Sequence, residues 1–140
     1  MMSYAAVLAL HLAAVTVFVS GLLATGIMLP AIRRAVPLAP ERRAEWRRLS
    51  GWNALLTTPA LVVVWAAGLT LAREGGWFVA AWLQVKLAGV VALSAIHGLQ
   101  TWQLRRIGAD RPGAPLPRWL PLLIAALATG VVWLVTAKPW

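Results

Sequence analysis

Three ionisable side chains interrupt long apolar stretches of this sequence: His11, Lys86 and His97. Ionisable groups are costly inside a membrane helix, so each one raises a question of function. An imidazole can ligate a metal or accept a proton. A buried amine can pair with an anion or carry a proton. His11 lies eight residues after Ser3, and Lys86 nine after Trp77. At ~1.5 Å per residue these offsets are about 12 and 13 Å, which predicts matching depths on different helices. Both side chains can then meet one ligand. His97 lies eleven residues beyond Lys86. The two share a helix face to within about 20°, but His97 is ~16 Å further along the axis. Gln100 continues that face. At the same level the second apolar stretch offers Ser50, Asn53 and Thr57, the last two an i,i+4 pair. A second polar cluster around His97 is expected there. The plainer roles are a snorkelling Lys86 and a His97 satisfied by hydrogen bonds.

The elements that must position these groups follow from composition. The chain is 61% hydrophobic over 140 residues, well above the roughly 45–50% of soluble domains. A bilayer core takes roughly 20 apolar residues per helix. Four such stretches run over about 3–29, 50–71, 77–104 and 118–137. The expected fold is all-α: an integral membrane four-helix bundle, one domain over 1–140. Ser3 is the expected N-cap of the first span, and Pro30 marks its approach to an end. The N-terminal stretch is too long and lacks the basic lead of a cleaved signal, so it reads as a retained span. Cysteine is absent, which excludes disulfides and thiolate metal sites.

The net charge of +9 is not a nucleic-acid signal, because it sits in the connections between spans. The first holds Arg33, Arg34, Arg42, Arg43, Arg47 and Arg48 against Glu41 and Glu45. The third holds Arg105, Arg106, Arg111 and Arg118 against Asp110. The second holds only Arg73 and Glu74. The positive-inside rule then places the first and third loops in the cytoplasm, facing anionic lipid, and both termini on the outer, periplasmic side. Trp52, Trp102 and Trp119 are expected in an inner aromatic belt, with Trp77, Trp82 and Trp140 in an outer one. Trp65 and Trp133 fall deeper, between helices or against a ligand. The stretch Pro40 to Leu49 reads as a short basic helix beside the membrane. Pro59 should kink the second span and free a backbone carbonyl.

Several of these features resemble the HemJ-type protoporphyrinogen IX oxidases, small four-span bacterial membrane proteins related to the CopD-like family. The likeness covers most of the chain. His11 is followed by Gly21 in span one. Thr58-Pro59-Ala60 follows the basic Arg47-Arg48-Leu49. Trp82-Leu83-Gln84-Val85-Lys86-Leu87 is followed by His97. Span four begins after Trp119 and ends in Lys138-Pro139-Trp140. Span one departs from the family. Phe18-Val19 stand in place of an aromatic pair, and Pro30 and Arg33 come later than a leucine–proline–arginine element.

The resemblance implies oxidation of protoporphyrinogen IX to protoporphyrin IX in haem biosynthesis, in the bacterial inner membrane, with bound haem b and an unidentified electron acceptor. It implies His11 as an iron ligand and Lys86 as a second ligand or proton-handling group. His97 is then a supporting polar residue of the catalytic set. Arg33, Arg34, Arg47 and Arg48 are candidate partners for propionates. His11 and His97 differ too much in depth to clasp one haem from both sides. Two other readings stand beside it: a copper-handling protein, poor in soft ligands with only three methionines, and a haem-binding subunit without chemistry of its own. A bundle this thin is expected to self-associate.

Overall fold

The computed structural model describes residues 3–137. Four helices among them are long and apolar enough to cross a membrane. Helix α1 (Tyr4–Arg34) opens on Ser3, whose hydroxyl accepts the Ala6 N–H at 3.2 Å. It does not stop near Leu29. It passes through Pro30 and ends on Arg33 and Arg34, cations that suit a helix C-terminus. The added turn is anchored by packing. Leu29 and Ile32 are buried against Leu38, Leu49, Leu104 and Ile107.

The second span is longer than its apolar core. Helix α2 (Pro40–Trp52) runs through a π turn at Asn53–Thr57 into helix α3 (Thr58–Glu74). The basic stretch is therefore no separate surface helix but the polar extension of a continuous 35-residue rod. Its apolar handholds, Trp46 and Leu49, keep it on the bundle: Leu49 is buried and the Trp46 indole N–H donates to the Leu104 carbonyl at 2.9 Å. The π turn lies just before Pro59, which has no N–H to give and whose ring crowds the preceding turn. The Asn53 carbonyl accepts both the Thr58 N–H and the Thr58 hydroxyl, the latter at 2.8 Å.

A 3₁₀ turn (Trp77–Val79) leads into helix α4 (Ala81–Gly108), so the third span starts a few residues later than expected. Helix α5 (Leu120–Ala137) completes the set. Helix α1 packs along α3 and also touches α4 and α5, and α4 packs along α5. The central core joins Phe18, Leu22, Val64, Leu93 and Ile124. Helix α1 meets the π turn closely: a Cβ on Gly21 would overlap the Thr57 side chain.

The tryptophans divide differently from the expected belts. Trp52, Trp102 and Trp119 are exposed, as interface residues should be. Trp82 is not: it is buried with Ala72 and Leu83, its ring 5.5 Å from that of Trp77. Trp133, expected deep in the bundle, is exposed on α5. Trp140 and the Lys138-Pro139-Trp140 terminus lie outside the described residues.

The two arginine-rich connections are tied together. Arg43 grips Asp110 through both carboxylate oxygens at 3.0 and 2.9 Å, and the Leu38 N–H donates to the same group at 3.3 Å. The guanidinium hydrogen bond, helped by the Leu38 amide, holds the Asp110 carboxyl below the usual carboxylate range. A lowered carboxyl favours the folded latch at neutral pH, and that preference fades as pH falls through the acid range. In Asp110→Asn, amide exchange at Leu38 should quicken at pH 7, with the difference from wild type shrinking at acid pH. Gly21→Ala should cost about 1–3 kcal/mol by crowding Thr57, read as a lower denaturation midpoint in detergent micelles.

Candidate functional site

His11 and Lys86 do meet. Both line one small cavity at the end of the bundle opposite the arginine-rich connections, enclosed by α1, α3 and α4. Helix α1 presents His11 on its buried stripe with Val7, Ala14 and Phe18, a spacing of three to four residues that follows the helical period. Helix α3 supplies Val64, Trp65, Gly68 and Ala72 on its facing side, and α4 supplies Leu83, Lys86, Leu87 and Val90. The lining is apolar except for the imidazole, the amine and the Trp65 indole. The equal depths expected from helical rise thus become a shared site.

Gly68 makes room for the imidazole. A Cβ there would stand 3.0 Å from His11 Cε1 and 3.5 Å from Nδ1. His11 is 7% exposed, and its Nδ1 has no hydrogen-bond partner among the described residues. A buried imidazole nitrogen without a partner is a site ready for a ligand or a donor. Lys86 is half-buried and makes no ion pair among the described residues. An amine held there can neutralise an anion or take part in proton transfer.

His97 lies elsewhere. Its Nε2 is 3.1 Å from the Thr58 hydroxyl, and its ring packs edge-on against Phe18 at 5.8 Å. The expected second cluster exists with altered membership. The extra residue of the π turn brings Thr58, not Thr57, to His97, while Thr57 packs against Gly21. Asn53 donates to the Thr101 hydroxyl at 2.9 Å. Gln100 is fully buried and donates to the Leu22 carbonyl at 3.1 Å. Between the two stations Trp65, which lines the cavity, donates to Ser94 at 3.2 Å. The spacing of apolar residues carried no signal for Gly68 or Ser94. Only the pairing of α3 with α1 and α4 reveals them.

The donor set can be tested against a haem. A neutral imidazole facing an apolar cavity suits an axial ligand, and Gly68 cradles it. The cavity itself is about 30 Å³, room for a water or two, whereas drug-sized ligands occupy roughly 300–1,000 Å³. A macrocycle does not fit within it, and because Nδ1 is buried it is reached from the bundle's surface only if the lining side chains move aside. The open groove between α4 and α5 is about 520 Å³, but its lining of Val85, Gly89, Leu127, Gly130 and Trp133 offers no ligand nitrogen. The arginines at the far end cannot serve a group bound at His11. Arg33 is 22 residues further along α1, about 33 Å. Lys86 is the cation in the lining itself, and Arg73, next in the chain after the lining Ala72, is the arginine at this end. Among the described residues no three His, Cys, Asp or Glu side chains gather to hold a metal ion.

The chain has two histidines, so a histidine-labelled sample gives two ring environments. Gly68→Ala should shift the His11 ring signals and leave those of His97 in place. No family model, curated protein or solved structure matches this chain.

Proposed function

We propose that this protein is a haem-associated membrane oxidase of the HemJ type, which oxidises protoporphyrinogen IX to protoporphyrin IX at the His11–Lys86 site. The observation that carries the reading is the meeting of His11 and Lys86 in one apolar cavity, with the His11 Nδ1 unpartnered. Dehydrogenating a porphyrinogen requires somewhere for electrons and protons to go. The Trp and Tyr side chains are the only aromatic redox candidates in a chain without cysteine. A haem b ligated by His11 would supply the one-electron chemistry and hand electrons to a separate acceptor.

The chain's own residues do the rest. Gly68 and Val64 hold the His11 ring in place. Lys86 provides the local cation, either to anchor a propionate or to exchange a proton with the reacting ring. The apolar lining, with Leu87 and Val90, excludes bulk water from both groups. His97 supports from a separate station rather than touching the same ligand. The arginine-rich end faces the cytoplasm and both termini face outward, by the positive-inside rule. The membrane is the bacterial inner membrane. Little of each span is buried within one chain, which favours self-association and would add surface for a macrocycle. A copper-handling role draws less support, since among the described residues neither histidine belongs to a group of three His, Cys, Asp or Glu side chains.

Purified protein reconstituted with haem should show a Soret band that His11→Ala removes and His97→Ala keeps. Protein that stays colourless after reconstitution would overturn the haem assignment. In a strain lacking its own oxidase, the wild-type chain should restore haem synthesis. Lys86→Met should cost about 10²-fold or more in oxidation rate, with the Soret band retained.

A further inference from the structure

We propose that the arginine-rich half of α4 binds a file of internal water molecules that carries protons between His97 and the protein surface at that end. Four buried acceptors in this region lack a partner among the described residues: His97 Nδ1, Asn53 Oδ1, Gln100 Oε1 and Gln103 Oε1. Their residues are between 0% and 5% exposed. A buried polar atom left without a hydrogen bond is rare and costly, and internal water is its usual partner.

The polarity of each group follows from its neighbours. The single proton of the Thr58 hydroxyl goes to the Asn53 carbonyl at 2.8 Å. Thr58 Oγ1 is therefore an acceptor toward His97 Nε2, 3.1 Å away. In the neutral ring that places the hydrogen on Nε2 and leaves Nδ1 as an acceptor. The two glutamines are oriented in the same way. Gln100 Nε2 donates to the Leu22 carbonyl at 3.1 Å, and Gln103 Nε2 to the Ala114 carbonyl at 2.7 Å. Each amide oxygen is thus turned away from those carbonyls and requires a donor.

The acceptors stand in sequence. His97, Gln100 and Gln103 follow one another at i,i+3, neighbours on a helix surface. From His97 to Gln103 the axis rises ~9 Å while the direction turns by about 120°, a path longer than the rise alone and spanned by several waters at hydrogen-bond spacing. At the far end the missing donor type appears. Arg33 Nε is buried without a partner, and Arg33 and Gln103 pack against the same residue: a Cβ on Gly113 would overlap Gln103 Oε1 and stand 3.3 Å from Arg33 Cδ. Acceptors along the file and a donor at its mouth are what water, which both donates and accepts, can connect. Each transfer moves one proton from a water to its neighbour, with the last passing to bulk solvent at the arginine-rich surface. No oxidant is consumed. Beside Arg33 a bound metal cation would be repelled.

The proposal rests on these polar contacts and not on the oxidase reading, and its test uses neither haem nor porphyrinogen. The full chain, isotope-labelled and embedded in lipid bilayers, is measured by water-edited solid-state NMR. Magnetisation should pass from water to the Gln100 and Gln103 side chains and to the His97 ring within milliseconds. Gln103→Leu should slow exchange of the His97 ring proton at least tenfold and leave His11 unchanged. Gly113→Ala, which crowds the same end without removing a polar group, should slow it in the same direction. Transfer that reaches Gln103 but not His97 would overturn the path. So would His97 exchange that neither variant alters, or site signals that respond to sodium or potassium in place of water.

Discussion

Pro59 has no amide hydrogen, and a membrane helix has no water to make good the loss. The second span answers with one extra residue, the π turn at Asn53–Thr57. Much of the bundle's polar architecture depends on that residue. It turns Thr58 toward α4, where the hydroxyl closes a chain from the Asn53 carbonyl to His97. It turns Thr57 toward α1, where only a glycine at position 21 leaves room. It also gives Asn53 a side-chain bond to Thr101. One backbone irregularity thus fixes the register of α3 against two neighbours, and with it the position of Trp65 and Gly68, about two and three turns further on.

The parts legible in the sequence are those governed by a single helix. Span count followed from apolar run length. The depth match of His11 and Lys86 followed from rise per residue. The shared face of His97 and Gln100 followed from the helical period. Parts governed by two helices were not legible. Gly68 has no periodic signature, and its role exists only because His11 lies opposite. Thr58 displaced Thr57 because counting by i,i+4 assumes 3.6 residues per turn through a segment that does not keep it. Trp82 and Trp133 exchanged environments with expectation for a related reason. Depth along the axis is readable from sequence, but which side of a uniformly apolar helix faces the bundle is not. Pro30 was a poor stop signal because Leu29 and Ile32 bury enough surface to carry the helix past it.

The two polar stations are also unlike in kind. The cavity station is apolar walls around two groups, with the His11 nitrogen unpartnered and Lys86 free of any ion pair among the described residues. The His97 station is a dense hydrogen-bond network with acceptors to spare. Trp65 lies between them, lining the cavity with its ring and bonding Ser94, one turn before His97 on α4, through its N–H. Chemistry that needs a ligand nitrogen and a local cation belongs at the first. Chemistry that needs protons moved through a low-dielectric interior belongs at the second. Their separation along α4 leaves room between them for the indole, a flat and polarisable group, packed with the core of Phe18, Val64, Val90 and Leu93.

The oxidase reading carries a geometric demand that follows from these volumes. The nitrogen that can hold an iron faces a cavity too small for a macrocycle, while the groove with adequate room faces away and holds no donor. A macrocycle on the buried His11 nitrogen must therefore enter from the flank near Leu69 and Phe78, both of which line the cavity and are exposed, by displacing such side chains. In a bilayer that flank is covered by acyl chains or by another copy of the protein. Acyl chains are displaced by a flat apolar ring at little cost, since both are equally greasy. A cavity this small is then compatible with a substrate that arrives through the membrane, and Lys86 beside the imidazole supplies a cation within an otherwise apolar lining.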